Sequence, residues 1–250
     1  MNAFSYRVQT LQPSAIREIL KFTSDPEVIS FAAGNPAPEA FPTEEIARIT
    51  NEILTTTPID ALQYSITEGY TPLRNWIKDD LKKKGMFDES EEDVVITSGA
   101  QQAIEVVTKE ICNEGDVIIC EAPTFIGSLN AFRSYNSKLV GIDMDDDGIN
   151  IEKLEAALEK YQRTAFIYLI PNFQNPTGKT MSLEKRKKVL ELAQKYNVYI
   201  LEDNPYGDLR YLGEDVPTIK SLDKTGHVLY AGTFSKTLAP GLRVGYLCAP

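Results

Sequence analysis

The sequence predicts an α/β fold, built on a mostly parallel seven-stranded sheet with helices on both faces. Two patterns predict it. Seven short apolar runs rich in β-branched residues recur at 94–97, 117–120, 139–143, 165–170, 198–202, 228–233 and 244–248, and helical patterns fill most of the gaps, at 100–111, 125–134, 151–160 and 183–196. Near-continuous apolar runs are what strands need when helices cover both faces of a parallel sheet. Composition agrees: 250 residues, 42% hydrophobic and 25% charged, suit one large domain or two small ones.

Taken in order, residues 1–35 read as an arm. Within it 14–21 forms a short amphipathic helix with Ile16, Ile19 and Leu20 on one face, and 31–38 is a turn-rich connector. Thr43 is the expected cap of a helix over 44–55, with Glu45 and Ile46 in its first turn. Residues 64–70 look irregular, and a helix over 73–84 is closed by Gly85. The strand–helix alternation follows. The link 233–243 is too short for a helical crossover, so the last strand is expected to run antiparallel.

Composition also excludes functions. The net charge is −10 and there is no basic stripe, against nucleic acid or an anionic membrane as partner. No run approaches transmembrane length and residues 1–10 carry no signal core. Cys112, Cys120 and Cys248 form no CxxC pair and read as free buried thiols of a reducing compartment, so a cytoplasmic location is expected. One histidine, His227, leaves no multi-histidine metal site, and no metal is expected. Ser98 lacks the glycine of a nucleophile elbow, because Ile96 stands there. Gly178-Lys179-Thr180 is not a Walker A end, because Phe173 occupies the required glycine position.

Open α/β sheets bind ligands beyond the carboxyl ends of their strands, so the residues after each run carry the functional reading. The turn Ser98-Gly99-Ala100-Gln101 opens a helix whose free N–H groups favour a phosphate; helix capping by Ser98 is the alternative. Phe125 is either core or a ring that stacks on a flat ligand. Asn175-Pro176 can aim an amide inward, through a cis bond if one is present. Asp203 is an acid at a strand end, with Tyr206 three residues on. Lys236 lies in Thr233-Phe234-Ser235-Lys236, with Arg243 seven residues later. Lys236 is either an ordinary loop lysine or a desolvated amine fit for Schiff-base chemistry beside an anion held by Thr233, Ser235 and Arg243. Their convergence on one sheet edge favours the functional readings together.

Ser98-Gly99-Ala100-Gln101, Asn175-Pro176-Thr177-Gly178, Asp203-x-x-Tyr206 and Ser235-Lys236-(x)6-Arg243 resemble, in order and spacing, the fold-type I pyridoxal-phosphate aminotransferases of class I/II from about residue 30 to 249. The stretches 16–21 and 31–38 are similar to the subgroup of 2-aminoadipate aminotransferases and MocR-type catalytic domains. The resemblance implies pyridoxal 5'-phosphate as cofactor. It implies Lys236 as the Schiff-base lysine and proton shuttle, Asp203 as the partner of the pyridine nitrogen, and Asn175 and Tyr206 as partners of the ring's phenolic oxygen. Phe125 would stack on the ring, and Gly99, Ala100, Gln101, Ser235 and Arg243 would hold the phosphate. Tyr64 would reach the phosphate of a neighbouring subunit, making a homodimer with a shared site. Arg17, Gly34 and Asn175 would bind substrate; an ordinary solvated residue is the alternative for Arg17.

The implied division is 1–58 as arm and part of a small domain, and 59–250 as the cofactor-binding major domain. The family continues into a C-terminal small domain carrying the arginine for the substrate α-carboxylate. The chain stops at Pro250, so truncation is expected, with the small domain largely missing and turnover by these 250 residues alone in question. The expected activity is exchange of an amino group between an L-amino acid (2-aminoadipate-like, aromatic or branched) and a 2-oxo acid. The alternatives are a β-lyase or decarboxylase on the same cofactor, and a non-catalytic cofactor-binding module.

Overall fold

A computed structural model describes residue 5, residues 27–29 and residues 34–250. The expected helix over 14–21, Arg17 and residues 31–33 of the connector lie outside the described residues. Eight strands form one sheet: β1 (Asp93–Thr97), β2 (Val117–Ala122), β3 (Lys138–Asp145), β4 (Gly148–Ile149), β5 (Thr164–Leu169), β6 (Tyr199–Asp203), β7 (Val228–Thr233) and β8 (Gly245–Ala249), in the order β1-β8-β7-β6-β5-β2-β3-β4. The seven expected strands are all present. The eighth, β4, is a two-residue return that pairs antiparallel with β3. It corrects the expected count of seven, because two residues carry no periodicity that a sequence pattern can register.

β3, β2, β5, β6 and β7 run parallel, whereas β8 pairs antiparallel with both β7 and β1, as the short 233–243 link requires. From β2 the chain first moves outward to β3, then returns to β5 on the other side. Strand order reverses at that point, and the site lies at the carboxyl ends of these strands.

The described helices are α1 (Thr43–Thr56), α2 (Pro58–Leu62), α3 (Thr71–Lys83), α4 (Ala100–Ile111), α5 (Ile126–Ser134), α6 (Ile151–Lys160), α7 (Leu183–Tyr196) and α8 (Ile219–Leu222). Alternate residues of the central strands face opposite layers. Val117, Ile119, Ile167 and Ile200 pack on α6, α7 and α8 through Leu154, Leu158, Val189 and Ile219. Ile118, Phe166, Tyr168 and Leu229 pack on α4 and α5 through Ala103, Ile104, Val107 and Phe132. A third cluster seats α3 on the antiparallel edge through Ile77, Leu81, Val94 and Cys248. Each buried aliphatic side chain contributes about 1.5–3 kcal/mol relative to exposure, so the two layers hold the strand ends as a rigid frame.

Capping departs from expectation at two helices. Thr43 is the first residue of α1 rather than its cap; Pro42 holds the cap position, with no side-chain cap bond. Gly99 caps α4 by backbone alone, and the Ser98 N–H is answered by Gln102 Oε1. Ser98 therefore does not cap the helix with its hydroxyl.

Among the described residues no helix is long and apolar enough to cross a membrane. α1 buries none of its side chains, and Ile49, Ile53, Leu54, Ile59 and Leu62 along α1 and α2 are exposed.

Candidate active site

A cavity of about 620 Å³ opens at the carboxyl ends of the parallel strands. The segments that follow β1, β2, β5, β6 and β7 all contribute to it. The turn after β1 places Gly99 at φ +77°, a left-handed value that favours glycine. There is also no room for a side chain: a Cβ on Gly99 would meet the Arg243 guanidinium, and one on Gly245 would meet the Gly99 carbonyl carbon at 2.6 Å. This close approach packs the amino end of α4 against β8. Arg243, itself left-handed at φ 55°, donates to Ser98 O at 3.2 Å and lies 3.5 Å from Ser235 Oγ. Ser235 is held in turn by Thr233, whose hydroxyl donates to Ser235 Oγ at 3.0 Å. A helix amino end, an arginine and two hydroxyls thus form a cradle for a small anion.

Phe125 sits just before α5 at the cavity edge, and its ring leaves no space for a Cβ on Gly127. Gln101 Nε2 donates to Gly127 O at 3.2 Å and fixes the same corner. Phe125 also packs against the α4/α5 core layer, so it serves as both core and cavity wall. After β5, Asn175 lies within a turn held by Gln174, which accepts from the Thr177 N–H (3.0 Å) and donates to Pro123 O (2.8 Å). The Asn175–Pro176 peptide is cis, and Asn175 Nδ2 donates to Tyr206 OH at 3.3 Å.

Asp203 ends β6 and is 4% exposed. Its Oδ2 accepts from Tyr168 OH at 2.7 Å, and its Oδ1 has no partner among the described residues. Burial pushes its pKa up to about 6, and only the Tyr168 bond opposes that. Lys236 Nζ donates to Gly34 O at 3.0 Å and lies 6.0 Å from the Tyr206 ring centre; burial lowers its pKa, as a nucleophilic or basic amine requires.

The structure therefore brings Gly34, Ala100, Gln101, Phe125, Asn175, Asp203, Tyr206, Ser235, Lys236 and Arg243 to one cavity, with Gly99 behind its cradle. It does not bring Tyr64, which is 98% exposed on the outer surface. Sequence reasoning missed four buried residues beneath the cavity: Ser128, Tyr168, Glu121 and Gln174. A tyrosine hydroxyl among the apolar buried residues Phe166, Ile167 and Leu169 of β5 was the available signal for Tyr168.

The donor set suits a phosphorylated aldehyde on a basic aromatic ring. The cradle would suit a phosphate, the Asp203 Oδ1 a protonated ring nitrogen, and Lys236 the aldehyde. Among the described residues no group of histidine, cysteine or acidic side chains is placed to hold a metal.

The aminotransferase class I and II family model matches residues 26–250. The chain belongs to the aminotransferase class I and II family. It is 45% identical over 250 residues to aromatic-amino-acid aminotransferase 1 of Thermococcus litoralis, covering 98% of this chain and 60% of that protein. It is 40% identical over 251 residues to the 2-aminoadipate transaminase of Thermus thermophilus, covering 99% and 61%. The crystal structure of the Pyrococcus horikoshii kynurenine aminotransferase, in complex with PMP and kynurenine, superposes with a TM-score of 0.92 at 41% identity, covering 98% of this chain and 62% of that one. This aminotransferase-family chain spans about 60% of the length of these relatives.

The buried carboxyls of this family member have a measurable consequence. Burial raises Glu121 from 4.5 to about 7 and Asp203 from 3.8 to about 6. The folded state then holds protons that the unfolded chain releases across that range. Stability is therefore greatest at the acid end of the window and falls as pH rises through it. Buried Glu202 acts with the same sign, whereas carboxyls held low, such as Asp93 and Asp223, act below about pH 4. Glu121 alone accounts for roughly 3 kcal/mol at 1.36 kcal/mol per pH unit. Cofactor-free Glu121→Gln is expected to lose roughly half the decline between pH 5 and 7, read from denaturant melts at each pH. An unchanged slope would place the protons elsewhere.

Proposed function

We propose that the chain is the cofactor-binding part of a pyridoxal-phosphate-dependent aminotransferase that moves an amino group between an L-amino acid and a 2-oxo acid. The observation that carries this reading is the pairing, in one cavity, of a buried carboxylate oxygen without a partner and a lysine amine whose pKa burial lowers. In this reading residues 59–250 form the cofactor-binding major domain and 1–58 form the arm and part of a small domain.

Bound pyridoxal phosphate supplies an electrophilic carbon for amines and a ring that accepts electrons. The chain supplies the rest. Gly99, Ala100, Gln101, Ser235 and Arg243 orient the phosphate. Asp203 holds a proton on the ring nitrogen through Oδ1, and Phe125 covers one ring face. Asn175 and Tyr206, already joined by a hydrogen bond, hold the phenolic oxygen. Lys236 Nζ moves the proton of the substrate α-carbon, a role suited to an amine whose deprotonation burial makes easier. Gly34, 3.0 Å from Lys236 Nζ through its carbonyl, and Asn175 border the substrate; Arg17, outside the described residues, is kept as the candidate for the distal part of the substrate side chain. The names of the relatives support aromatic or 2-aminoadipate-like donors, with branched donors in the same test. A homodimer would cover the exposed α1–α2 face and bring Tyr64 to the anion cradle of a second copy.

The test supplies the chain with cofactor, an aromatic, 2-aminoadipate-like or branched amino acid, and 2-oxoglutarate. A matching 2-oxo acid and glutamate are expected, both only when donor and acceptor are present. Ammonia and a 2-oxo acid formed without acceptor would replace transfer by elimination. Cofactor binding without any product would reduce the chain to a binding module.

A further inference from the structure

Among the described residues the Asp203 carboxylate receives one hydrogen bond, and that donor is itself held. Tyr168 is 0% exposed on β5, and its OH donates to Asp203 Oδ2 at 2.7 Å. Ser128, also fully buried, donates its hydroxyl to the same Tyr168 oxygen at 2.8 Å. A phenol has one proton. Once Tyr168 donates to the carboxylate, its oxygen can only accept, so the order Ser128→Tyr168→Asp203 is fixed. Ser128 lies in the first turn of α5, directly after Phe125. The relay therefore ties the helix behind the ring-stacking candidate to the acid at the ring nitrogen, across three elements. The Tyr168 ring is fixed independently of its hydroxyl by an edge contact with Phe132, 5.3 Å between centres.

We propose that Tyr168, oriented by Ser128, is a positioning residue that keeps Asp203 ionised and turns its free oxygen Oδ1 to the cavity. The proposal rests on the cofactor reading for its functional meaning, not for its chemistry. The other charged or titratable groups around Asp203 act differently. Glu121 on β2 is a carboxyl that Asp203 makes harder to ionise. Tyr206, in the loop after β6, is raised by burial first and by Asp203 to a smaller degree. Lys236 enters from the loop after β7, and α4 contributes the uncharged Gln101 and Ile104 to the shared cavity. None of these donates to Asp203, whereas the Tyr168 bond lowers its pKa against a burial that raises it.

Trp76, the single tryptophan, lies 6.1 Å from Phe234, two residues before Lys236. Quenching of its fluorescence reports pyridoxal-phosphate binding without turnover. Across pH 5–9, Tyr168→Phe is expected to move the acid limb of cofactor affinity up by about one pH unit, a loss of about tenfold on that limb, and to match the wild type above pH 8. Ser128→Ala is expected to shift the limb the same way by less. Superimposed limbs, or a loss equal at every pH, would overturn the proposal, the second pattern being that of a merely structural residue. A cofactor-free arm separates this from failure of the cofactor reading. The part of the pH–stability slope removed by Asp203→Asn is measured in the wild-type and Tyr168→Phe backgrounds. It must extend to higher pH in the Tyr168→Phe background, and an unchanged range refutes the relay even where no cofactor binds.

Discussion

Lys236→Ala is expected to leave the fold intact and to lower amino-group transfer by at least about 10²–10⁴-fold, the contribution of a positioned proton-transfer group. The reason is local. Lys236 Nζ touches one protein acceptor, Gly34 O, and its ion pairs are none among the described residues. Removing it leaves no buried charge stranded, so stability should change by less than about 1 kcal/mol. What is lost is an amine that burial makes easier to deprotonate, facing the cavity shared with Asp203. Lys236→Arg should fail nearly as completely, because a guanidinium stays protonated and cannot take a proton. Turnover and melting temperature measured together check the claim. Activity within tenfold of the wild type would remove Lys236 from the chemistry.

Arg186→Leu is expected to have the largest effect on stability, on the order of 4 kcal/mol, since it strands several buried acceptors at about 1–3 kcal/mol each. Arg186 is 0% exposed on α7 and makes no ion pair among the described residues, although buried Glu202 favours its charge at longer range; carbonyl oxygens satisfy its N–H groups. Nε donates to Met181 O (3.0 Å), Nη1 to Val216 O (3.3 Å) and Pro217 O (3.1 Å), and Nη2 to Pro171 O (3.0 Å) and Asn172 Oδ1 (2.7 Å). The guanidinium thus clamps the chain after β5 to the loop before α8. Asn172 carries the clamp onward: its Nδ2 donates to Asn204 Oδ1 (2.9 Å), and Asn204 Nδ2 donates to Tyr230 OH (2.9 Å). Asn204 adjoins Asp203, so the clamp also steadies the strand end that carries the acid. A fall in melting temperature of about 10 °C is expected for a chain of this size. Arg186→Lys should recover only part of it, because three donors on one atom cannot reach acceptors spread around a planar fork. A loss below about 1 kcal/mol would contradict this reading.

The fold was legible because its signals are local. Apolar runs such as 117–120 and 228–233, and the 3.6-residue pattern of 100–111, lie within single elements, and the length of 233–243 alone implied the antiparallel β8. The placement of Asp203 and Lys236 at one cavity was legible for the same reason, since both lie at or just after recognisable runs. The layer beneath them was not. Tyr168 meets Asp203 across 35 residues and Ser128 across 40, while Glu121 reaches the Ile170 N–H across 49. Pairings at such separations are set by strand order, which no local pattern contains. Arg186 shows the same limit. It stands in Lys185-Arg186-Lys187-Lys188, consecutive basic residues that surround the helix, and nothing in the run singles out Arg186 as the fully buried member. Thr43 and Ser98 failed as caps because their neighbours Pro42 and Gly99 take the cap positions.

The most direct test of the central claim is to locate the bound cofactor chemically. The chain is mixed with pyridoxal phosphate, reduced with borohydride to fix any lysine-bound aldehyde, digested, and mapped by mass spectrometry. One pyridoxyl group per chain, on Lys236 and absent from Lys236→Ala, is the expected result. Label spread over surface lysines, or concentrated on any lysine other than Lys236, would contradict the account.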